Sequence, residues 1–285
     1  ALDEQAHDHA DPGTNACGGG RVRLATRGPL RGKRSYLHSP NLERTSMELL
    51  QLRNATVKLS YGGTTFLIDP MLSKKGTLDP FPSLRGDERN PLNDLPIPVE
   101  EILNGVDVVI VTHSHIDHWD DAAAQAVPKD MPIIVQDQFD ADVVTASGFK
   151  DVRILDGEAR IGQVTLNRAE GQHYDSPGLV PLLEEVTGTA ATMGVVLRTD
   201  GEPTVYFTGD TVWFEGLETA LRNFAPQVIV ANTGGNSTPL GRLLLDDAEV
   251  VRISRAAPEA TIVAIQATND NRLIYPEYVT CAFMW

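Results

Sequence analysis

The chain has 285 residues, of which 41% are hydrophobic and 22% charged, an ordinary balance for a globular protein with a sizeable core. Its net charge of −15 argues against a general affinity for nucleic acid or for anionic membrane surfaces. No stretch approaches the ~18 apolar residues of a membrane helix, and no apolar segment typical of a secretory signal occurs near the start. We therefore expect a cytoplasmic protein with a small-molecule substrate. The sequence carries no signal for an oligomeric state.

Residues 1–46 differ in composition from the rest of the chain. They carry a net charge of +2, so the remainder carries −17, and they contain three consecutive glycines but no apolar periodicity. Such a composition is typical of disorder, whereas Met47 opens a regular strand pattern. We expect 1–46 to be a disordered or non-native leader and 47–285 to be the folded domain. The alternative is that 1–46 is a functional basic arm.

From Met47 onward, short β-rich runs alternate with helical patterns. The first strands are predicted at 47–53, 55–61 and 64–68, with Gly62-Gly63 as the turn of a hairpin. Several later strands are continuously apolar, as in a sheet covered on both faces, so the pattern predicts an α/β layered fold. Those later strands are predicted at 106–112, 132–136, 152–155, 161–168, 193–199, 203–208, 227–232 and 260–266, and the helices at 98–104, 119–127, 137–147, 213–224 and 246–257.

Two long connections show no clear periodicity. Residues 71–96 are polar and rich in proline, and residues 174–190 contain the run Leu179-Val180-Pro181-Leu182-Leu183. Loops of this length in a compact domain often shape a binding cleft. We expect both to contribute to substrate choice, with packing of the leucines on a sheet as an equal alternative for the second loop.

Three histidines and an aspartate follow the predicted strand 106–112 in the run His113-Ser114-His115-Ile116-Asp117-His118. A loop at the C-terminal end of a buried strand is a common place for a functional site in α/β proteins. His113 and His115 are two residues apart, so both imidazoles can face one centre, while Asp117 and His118 can reach a second one. Imidazole and carboxylate are ligands of zinc. The run therefore predicts a metal centre.

Two further candidate ligands follow later strands. His173 comes after the predicted strand 161–168 and is the only histidine of the folded domain outside the first cluster, while Asp210 comes after strand 203–208. A lone loop histidine is more often a surface residue, and Asp210 could instead cap the helix predicted near 213. Their positions at strand ends, after the histidine cluster, favour the interpretation that both are metal ligands.

The ordered series of HxHxDH at 113–118, a lone histidine and then Gly209-Asp210-Thr211 resembles the ligand series of the metallo-β-lactamase superfamily. The similarity spans about residues 47–266, and the chain looks like the predicted zinc-dependent hydrolase branch that includes ascorbate-phosphate lactonases. This resemblance implies a four-layer αββα sandwich. It also implies a ligand set, in which the first metal is held by His113, His115 and His173, the second by Asp117 and His118, and Asp210 bridges the two.

One position departs from the family pattern. The family supplies a last histidine to the second metal after its final core strand, whereas this chain has Gln266 there and no histidine after His173. Gln266, Asn269 or Asp270 could supply an oxygen ligand in its place, but a carboxamide is a weak ligand for zinc. We therefore predict one tightly bound Zn²⁺ and a second, weaker one, with Mn²⁺ as an alternative metal.

The predicted metal pair suits hydrolysis, because it makes water nucleophilic at neutral pH and stabilises the charge that develops on the attacked group. Asp117 is the candidate catalytic residue, which orients the water and carries a proton to the leaving group. The favoured prediction is a metal-dependent hydrolase that opens a small lactone or carboxylic ester. Phosphodiester hydrolysis is an alternative, and the replacement at Gln266 suggests another, a catalytically weak metal-binding protein.

Overall fold

The computed structural model describes residues 21–23, 47–81 and 87–266, and within them most strands belong to two large β-sheets. The first sheet has the order β1-β2-β3-β4-β5-β6-β7. Its strands are Arg21–Arg23, Glu48–Arg53, Thr56–Tyr61, Thr64–Ile68, Val108–Ile110, Ile133–Val135 and Val152–Ile154.

The second sheet has the order β15-β12-β11-β10-β9-β8, and a small hairpin of β13 and β14 lies between β12 and β15 in the chain. In chain order, β8 to β15 are Glu158–Ile161, Val164–Glu170, Met193–Arg198, Val205–Phe207, Val228–Asn232, Ser237–Thr238, Gly241–Arg242 and Thr261–Ile265. The helices α1 to α6 are Val99–Leu103, Asp121–Ala126, Gln138–Ala146, Val180–Thr187, Glu215–Phe224 and Asp247–Ala256.

Parallel strands place several loops at one edge of each sheet. In the first sheet β4, β5, β6 and β7 are parallel, and in the second β11, β12 and β15 are parallel. The carboxyl ends of parallel strands meet at the same edge, which is where ligands bind in open α/β sheets. Each candidate ligand except His173 follows one of these parallel strands, and His173 follows β9.

The two sheets pack face to face over an apolar core. Its buried side chains come from both sheets, for example Leu59 and Phe66 from the first and Val195 and Phe207 from the second. A second cluster packs α1, α2 and α3 on the outer face of the first sheet, and a third packs α5 and α6 on the outer face of the second. Helices therefore cover both outer faces, and the predicted αββα sandwich is confirmed.

The predicted strands and helices are present, but two predictions were wrong in detail. The single strand expected at 161–168 is a hairpin of β8 and β9, whose turn contains Gly162 at φ 58°. The loop expected at 174–190 contains a 3-10 turn, Pro177–Leu179, followed by α4. A proline in the first turn and Gly188 at φ 84° after the last residue delimit α4, a pattern typical of helix ends. Leu183 of α4 packs against Leu243 and Leu244.

The connection 71–96 lacks a helix or strand in its described part and is anchored by two buried charged side chains. Arg53 donates hydrogen bonds to the carbonyl oxygens of Met71 at 2.9 Å and Ser73 at 2.7 Å. Asp120, at the N-terminus of α2, accepts from the backbone N–H groups of Leu72 at 3.1 Å and Ser73 at 2.8 Å. These contacts fix the start of the loop beside the strand ends.

Of the predicted leader 1–46, the structure describes Arg21–Arg23, which form β1 and pair antiparallel with β2 where the composition predicted disorder. The rest of that prediction, the candidate oxygen ligands Asn269 and Asp270, and the chain after 266 lie outside the described residues. The helices that the structure does describe are too short or too polar to cross a bilayer.

Candidate metal centre

The predicted ligands converge at the ends of strands from both sheets. His113, His115 and His118 follow β5, His173 follows β9 and Asp210 follows β11; all five are at most 5% exposed. Gly209 precedes Asp210 at φ 63°, and a Cβ at that position would collide with the carbonyl oxygen of Met193. The tight turn that directs Asp210 inward therefore requires glycine.

Three imidazoles form the first cluster. Each of His113, His115 and His173 offers a ligand nitrogen, and these nitrogens lie within 4.8 Å of one another. The ring centroids are 4.3 Å apart for His113 and His115, and 5.2 Å apart for His115 and His173. Three imidazoles at this spacing are typical of a site for a borderline divalent cation.

Hydrogen bonds on the outer side of the cluster orient its rings. The Nε2–H of His115 donates to the carbonyl oxygen of Thr189 at 2.9 Å, and the Nδ1–H of His173 donates to the carbonyl oxygen of Leu243 at 2.9 Å. These bonds fix the tautomers, so Nδ1 of His115 and Nε2 of His173 carry the lone pairs. Nε2 of His113 is buried and has no hydrogen-bond partner among the described residues. A buried, unpaired nitrogen is costly, and a bound cation would satisfy it.

Asp210 lies between the first cluster and a second one. Its Oδ2 is 3.7 Å from Nε2 of His173 and 4.0 Å from Nε2 of His113, while its Oδ1 is 3.1 Å from Nε2 of His118. His113, His118 and Asp210 form a second group whose ligand atoms lie within 4.8 Å of one another. Asp210 thus faces both groups, which is the arrangement expected of a bridging carboxylate.

Asp117 stands at the more open side of the second group. Its side chain is 21% exposed, and its Oδ2 is 3.8 Å from Nε2 of His118. Gln266 directly follows β15, and its Nε2 donates to Oδ2 of Asp117 at 3.2 Å. The structure therefore brings all six predicted site residues together, with Gln266 next to them.

Two residues of the site were not predicted. Asp69, after β4, accepts hydrogen bonds from the backbone N–H and the hydroxyl of Thr112 at 2.7 and 2.8 Å, and its Oδ2 is 2.9 Å from Nδ1 of His118. Asn232, at the end of β12, donates from Nδ2 to Oδ1 of Asp210 at 2.7 Å. Both are buried polar residues at the end of a parallel strand. That signal identified Asp210 and could have identified these two.

The pKa values within the site separate the two groups. Burial, together with the neighbouring imidazoles, lowers the pKa of His113 well below its usual value and that of His115 to about 3, so both rings are neutral. Burial opposes a charge on His118, but the surrounding carboxylates, Asp210 first, raise its pKa well above the usual value. Burial also opposes the charge on Asp210, yet His118 holds its pKa below the usual range. The neutral rings of His113 and His115 and the ionised carboxylate of Asp210 are already in the forms that bind a cation, whereas His118 would have to release a proton to bind one.

These positions exclude one alternative interpretation of the sequence: Asp210 does not cap a helix, because α5 begins after Phe214 and has no side-chain cap. Trp119, which directly follows His118, packs against the ring of Phe149 at 5.4 Å in the core under α2 and α3. The donor set is imidazole and carboxylate, and Nε2 of His113 is buried without a hydrogen-bond partner among the described residues. The residues present therefore fit a divalent cation.

Comparison with known proteins agrees with this geometry. The sequence profile of a family described as "Beta-lactamase superfamily domain" matches residues 64–275. The chain is 39% identical over 221 residues to the UPF0173 protein YddR of Bacillus subtilis, a match that covers 77% of this chain and 85% of the relative.

Two solved structures are similar in both sequence and fold. An isothiocyanate hydrolase from Delia radicum gut bacteria is 42% identical, with a TM-score of 0.72, over 77% of this chain and 84% of that one. A possible metal-dependent hydrolase from Veillonella parvula is 38% identical, also with a TM-score of 0.72, over 76% of this chain and 84% of that one. The fold, the ligand series and these matches together show that the chain belongs to the metallo-β-lactamase superfamily of metal-dependent hydrolases.

Proposed function

We propose that this protein hydrolyses a small, uncharged molecule at an electrophilic carbon, with one or two divalent cations held by the residues of the metal centre. The observation that carries the proposal is the pair of ligand groups that share His113, whose Nε2 is buried without a hydrogen-bond partner among the described residues. Zn²⁺ is the proposed first cation, since imidazole suits it. The net charge of −15 supports a small-molecule partner rather than nucleic acid or a membrane surface. A cytoplasmic location is part of the proposal.

The residues of the metal centre have different roles in the proposed reaction. When bound, a divalent cation polarises water and the group under attack. The first cation would be held by His113, His115 and His173. Asp210 lies between these imidazoles and His118. Burial of these side chains excludes bulk water, which strengthens electrostatic interactions within the site.

Asp117 is the proposed catalytic residue. It is the most exposed of the six predicted ligands, so its carboxylate can reach the substrate side of the site. Oδ2 of Asp117 accepts from Gln266, and we assign the other carboxylate oxygen to orienting water and passing a proton to the leaving group.

Three exposed apolar side chains, which we propose form an apolar rim beside the metal centre, support an uncharged substrate. Ile116, between two ligands, is 46% exposed, and Phe139 and Val186 are 40% and 58% exposed. The ring of Phe139 lies against Gly188, since a Cβ there would be 2.6 Å from Cζ. Gly188 adjoins Thr189, whose carbonyl oxygen binds His115. The exposed ring is therefore tied by short contacts to a metal ligand.

The first substrate class that we propose is an organic isothiocyanate. Its central carbon is electrophilic, its substituent is apolar, and hydrolysis converts one isothiocyanate and one water into an amine and carbonyl sulfide. The support is the 42% identity to an isothiocyanate hydrolase, combined with the apolar rim. The second class is a small lactone or carboxylic ester, which presents the same kind of carbon and is supported by the resemblance of the ligand series.

A substrate panel tests the proposal. We expect benzyl isothiocyanate to give a kcat/KM at least about tenfold above those of a γ-lactone, p-nitrophenyl acetate and bis-p-nitrophenyl phosphate, because a built pocket discriminates by 1–3 kcal/mol. Carbonyl sulfide and amine release are measured for the first, and chromophore or acid release for the others. A higher value for the lactone or ester would reverse the order of the two classes. No turnover of any compound by the metal-loaded protein would favour a catalytically weak metal-binding protein.

Phe139→Ala tests the apolar rim. We expect kcat/KM for benzyl isothiocyanate to fall about fivefold while that for methyl isothiocyanate changes less than about twofold, because an aromatic contact contributes about 1 kcal/mol. The matched control is Ile154→Ala, because Ile154 is an apolar side chain of similar exposure, 41%, on β7. Equal losses for both substrates, or a similar loss in the control, would remove Phe139 from substrate recognition.

A further inference from the structure

Gln266 occupies a constrained position at the end of the second sheet. It directly follows β15, has a left-handed backbone with φ 58°, and donates its backbone N–H to the carbonyl oxygen of Asn54 at 3.2 Å. A left-handed residue other than glycine costs energy and persists where the surroundings hold it in place. Its side chain is therefore directed into the metal centre by the fold.

The side-chain amide of Gln266 lies among the ligands of the second group. Its Nε2 is 3.2 Å from Oδ2 of Asp117 and 3.3 Å from Nε2 of His118. Ligand atoms of one cation lie about 3.3 Å apart when the shell is tetrahedral and the bonds are about 2.0 Å long. The end of Gln266 therefore stands where a further ligand of the second group would stand.

The other atom of the same amide has no partner. Oε1 of Gln266 is buried and makes no hydrogen bond to any residue that the structure describes. A half-turn about the last side-chain torsion exchanges the oxygen and the nitrogen. Oε1 has no hydrogen bond to lose among the described residues, so the exchange gives up the two contacts of Nε2 with Asp117 and His118. Coordination of a cation by the oxygen would replace these contacts.

We propose that Gln266 is a ligand of the second cation through its carbonyl oxygen. This oxygen ligand makes the second position less selective for Zn²⁺ over Mn²⁺. The one lone pair of His113 Nε2 is assigned to the first cation, so the second position has oxygen ligands from Asp117, Asp210 and Gln266 but nitrogen from His118 alone. Oxygen ligands suit Mn²⁺, whereas the three imidazoles of the first group suit Zn²⁺. The inference rests on the metal centre of the proposed function and not on its substrate.

Metal binding to the chelator-stripped protein tests the assignment without substrate. With one equivalent of Zn²⁺ and an excess of Mn²⁺, we expect the wild type to hold one of each per chain, measured by elemental analysis after gel filtration and by the spectrum of bound Mn²⁺. In buffered competition, Gln266→His should raise the Zn²⁺-to-Mn²⁺ selectivity of the second position by at least about tenfold, as a change of ligand does. Gln266→Leu should lose the bound Mn²⁺ and keep one Zn²⁺.

Further measurements check that the variants are folded and define the results that would contradict the proposal. Thermal melts of the metal-free variants establish that they are folded, and Gln266→Glu, which keeps the shape and supplies a charged oxygen, should bind Mn²⁺ at least about tenfold more tightly than the wild type. The proposal is overturned if Gln266→Leu retains bound Mn²⁺, or if Gln266→His and Gln266→Glu leave the metal preference unchanged. Hydrolysis by a protein that fails these tests would leave the proposed function standing.

Discussion

Replacement of His113 by alanine should lower kcat/KM by about 10³-fold or more, because a bound metal contributes several kcal/mol to stabilisation of the transition state. His113 belongs to both ligand groups, and its Nε2 is the buried nitrogen that lacks a partner among the described residues. Nε2 has one lone pair, so its loss removes one ligand of the first cation and leaves that group with two imidazoles. The variant should also retain less than one equivalent of Zn²⁺ after gel filtration.

Ser114→Ala is the control in the same loop. The backbone N–H of Ser114 donates to Oδ1 of Asp140 at 3.1 Å, and its hydroxyl also hydrogen-bonds to Asp140; alanine keeps the first bond and loses the second, which involves no predicted ligand. Its activity and metal content should stay within about threefold of the wild type, as for a substitution that leaves the contacts of the site in place. Retention of a full equivalent of metal and of activity by His113→Ala would show that the two groups are not the metal centre.

Asp69→Ala should lower the free energy of unfolding by about 3 kcal/mol, the scale of removing one partner from a buried charged pair. Asp69 is 2% exposed and accepts two hydrogen bonds from Thr112, so its removal leaves buried donors unpaired. Oδ2 also lies 2.9 Å from Nδ1 of His118 and orients that ring. The measurement is urea denaturation of the metal-free protein, followed by the Zn²⁺ and Mn²⁺ content of the loaded variant, which should fall at the second position.

The matched control for Asp69 is Asp107→Ala. Asp107 is exposed and accepts one hydrogen bond from the backbone N–H of Thr65 at 2.8 Å, so we expect a loss of about 1 kcal/mol or less. A second variant, Asp69→Asn, keeps an acceptor for Thr112 but can turn its amide NH₂ group towards His118. Its loss in the free energy of unfolding should lie between those of Asp69→Ala and Asp107→Ala. Equal destabilisation by the Asp69 and Asp107 variants would mean that Asp69 does not support the metal loop.

Local signals account for the part of the site that could be predicted. The four ligands at 113–118 are close in the chain and follow a continuously apolar strand, so their convergence needs only one turn of backbone. His173 and Asp210 are further away, but each follows a strand end, and the topology of the two sheets brings those ends together. The contact of Asp69 with His118 and that of Asn232 with Asp210 join different strands, so they depend on strand order, which periodicity does not contain.

By itself, the sequence determined the class of the fold, the six candidate ligands and the absence of a histidine after His173, because residue type and strand periodicity are local properties. Only the tertiary structure decided that 180–187 is helical, that Asp69 and Asn232 support the ligands, and that the amide of Gln266 lies 3.2 Å from Asp117. These features come from packing between elements distant in the chain. Tertiary contacts override weak local propensities, and they alone set the distances between side chains.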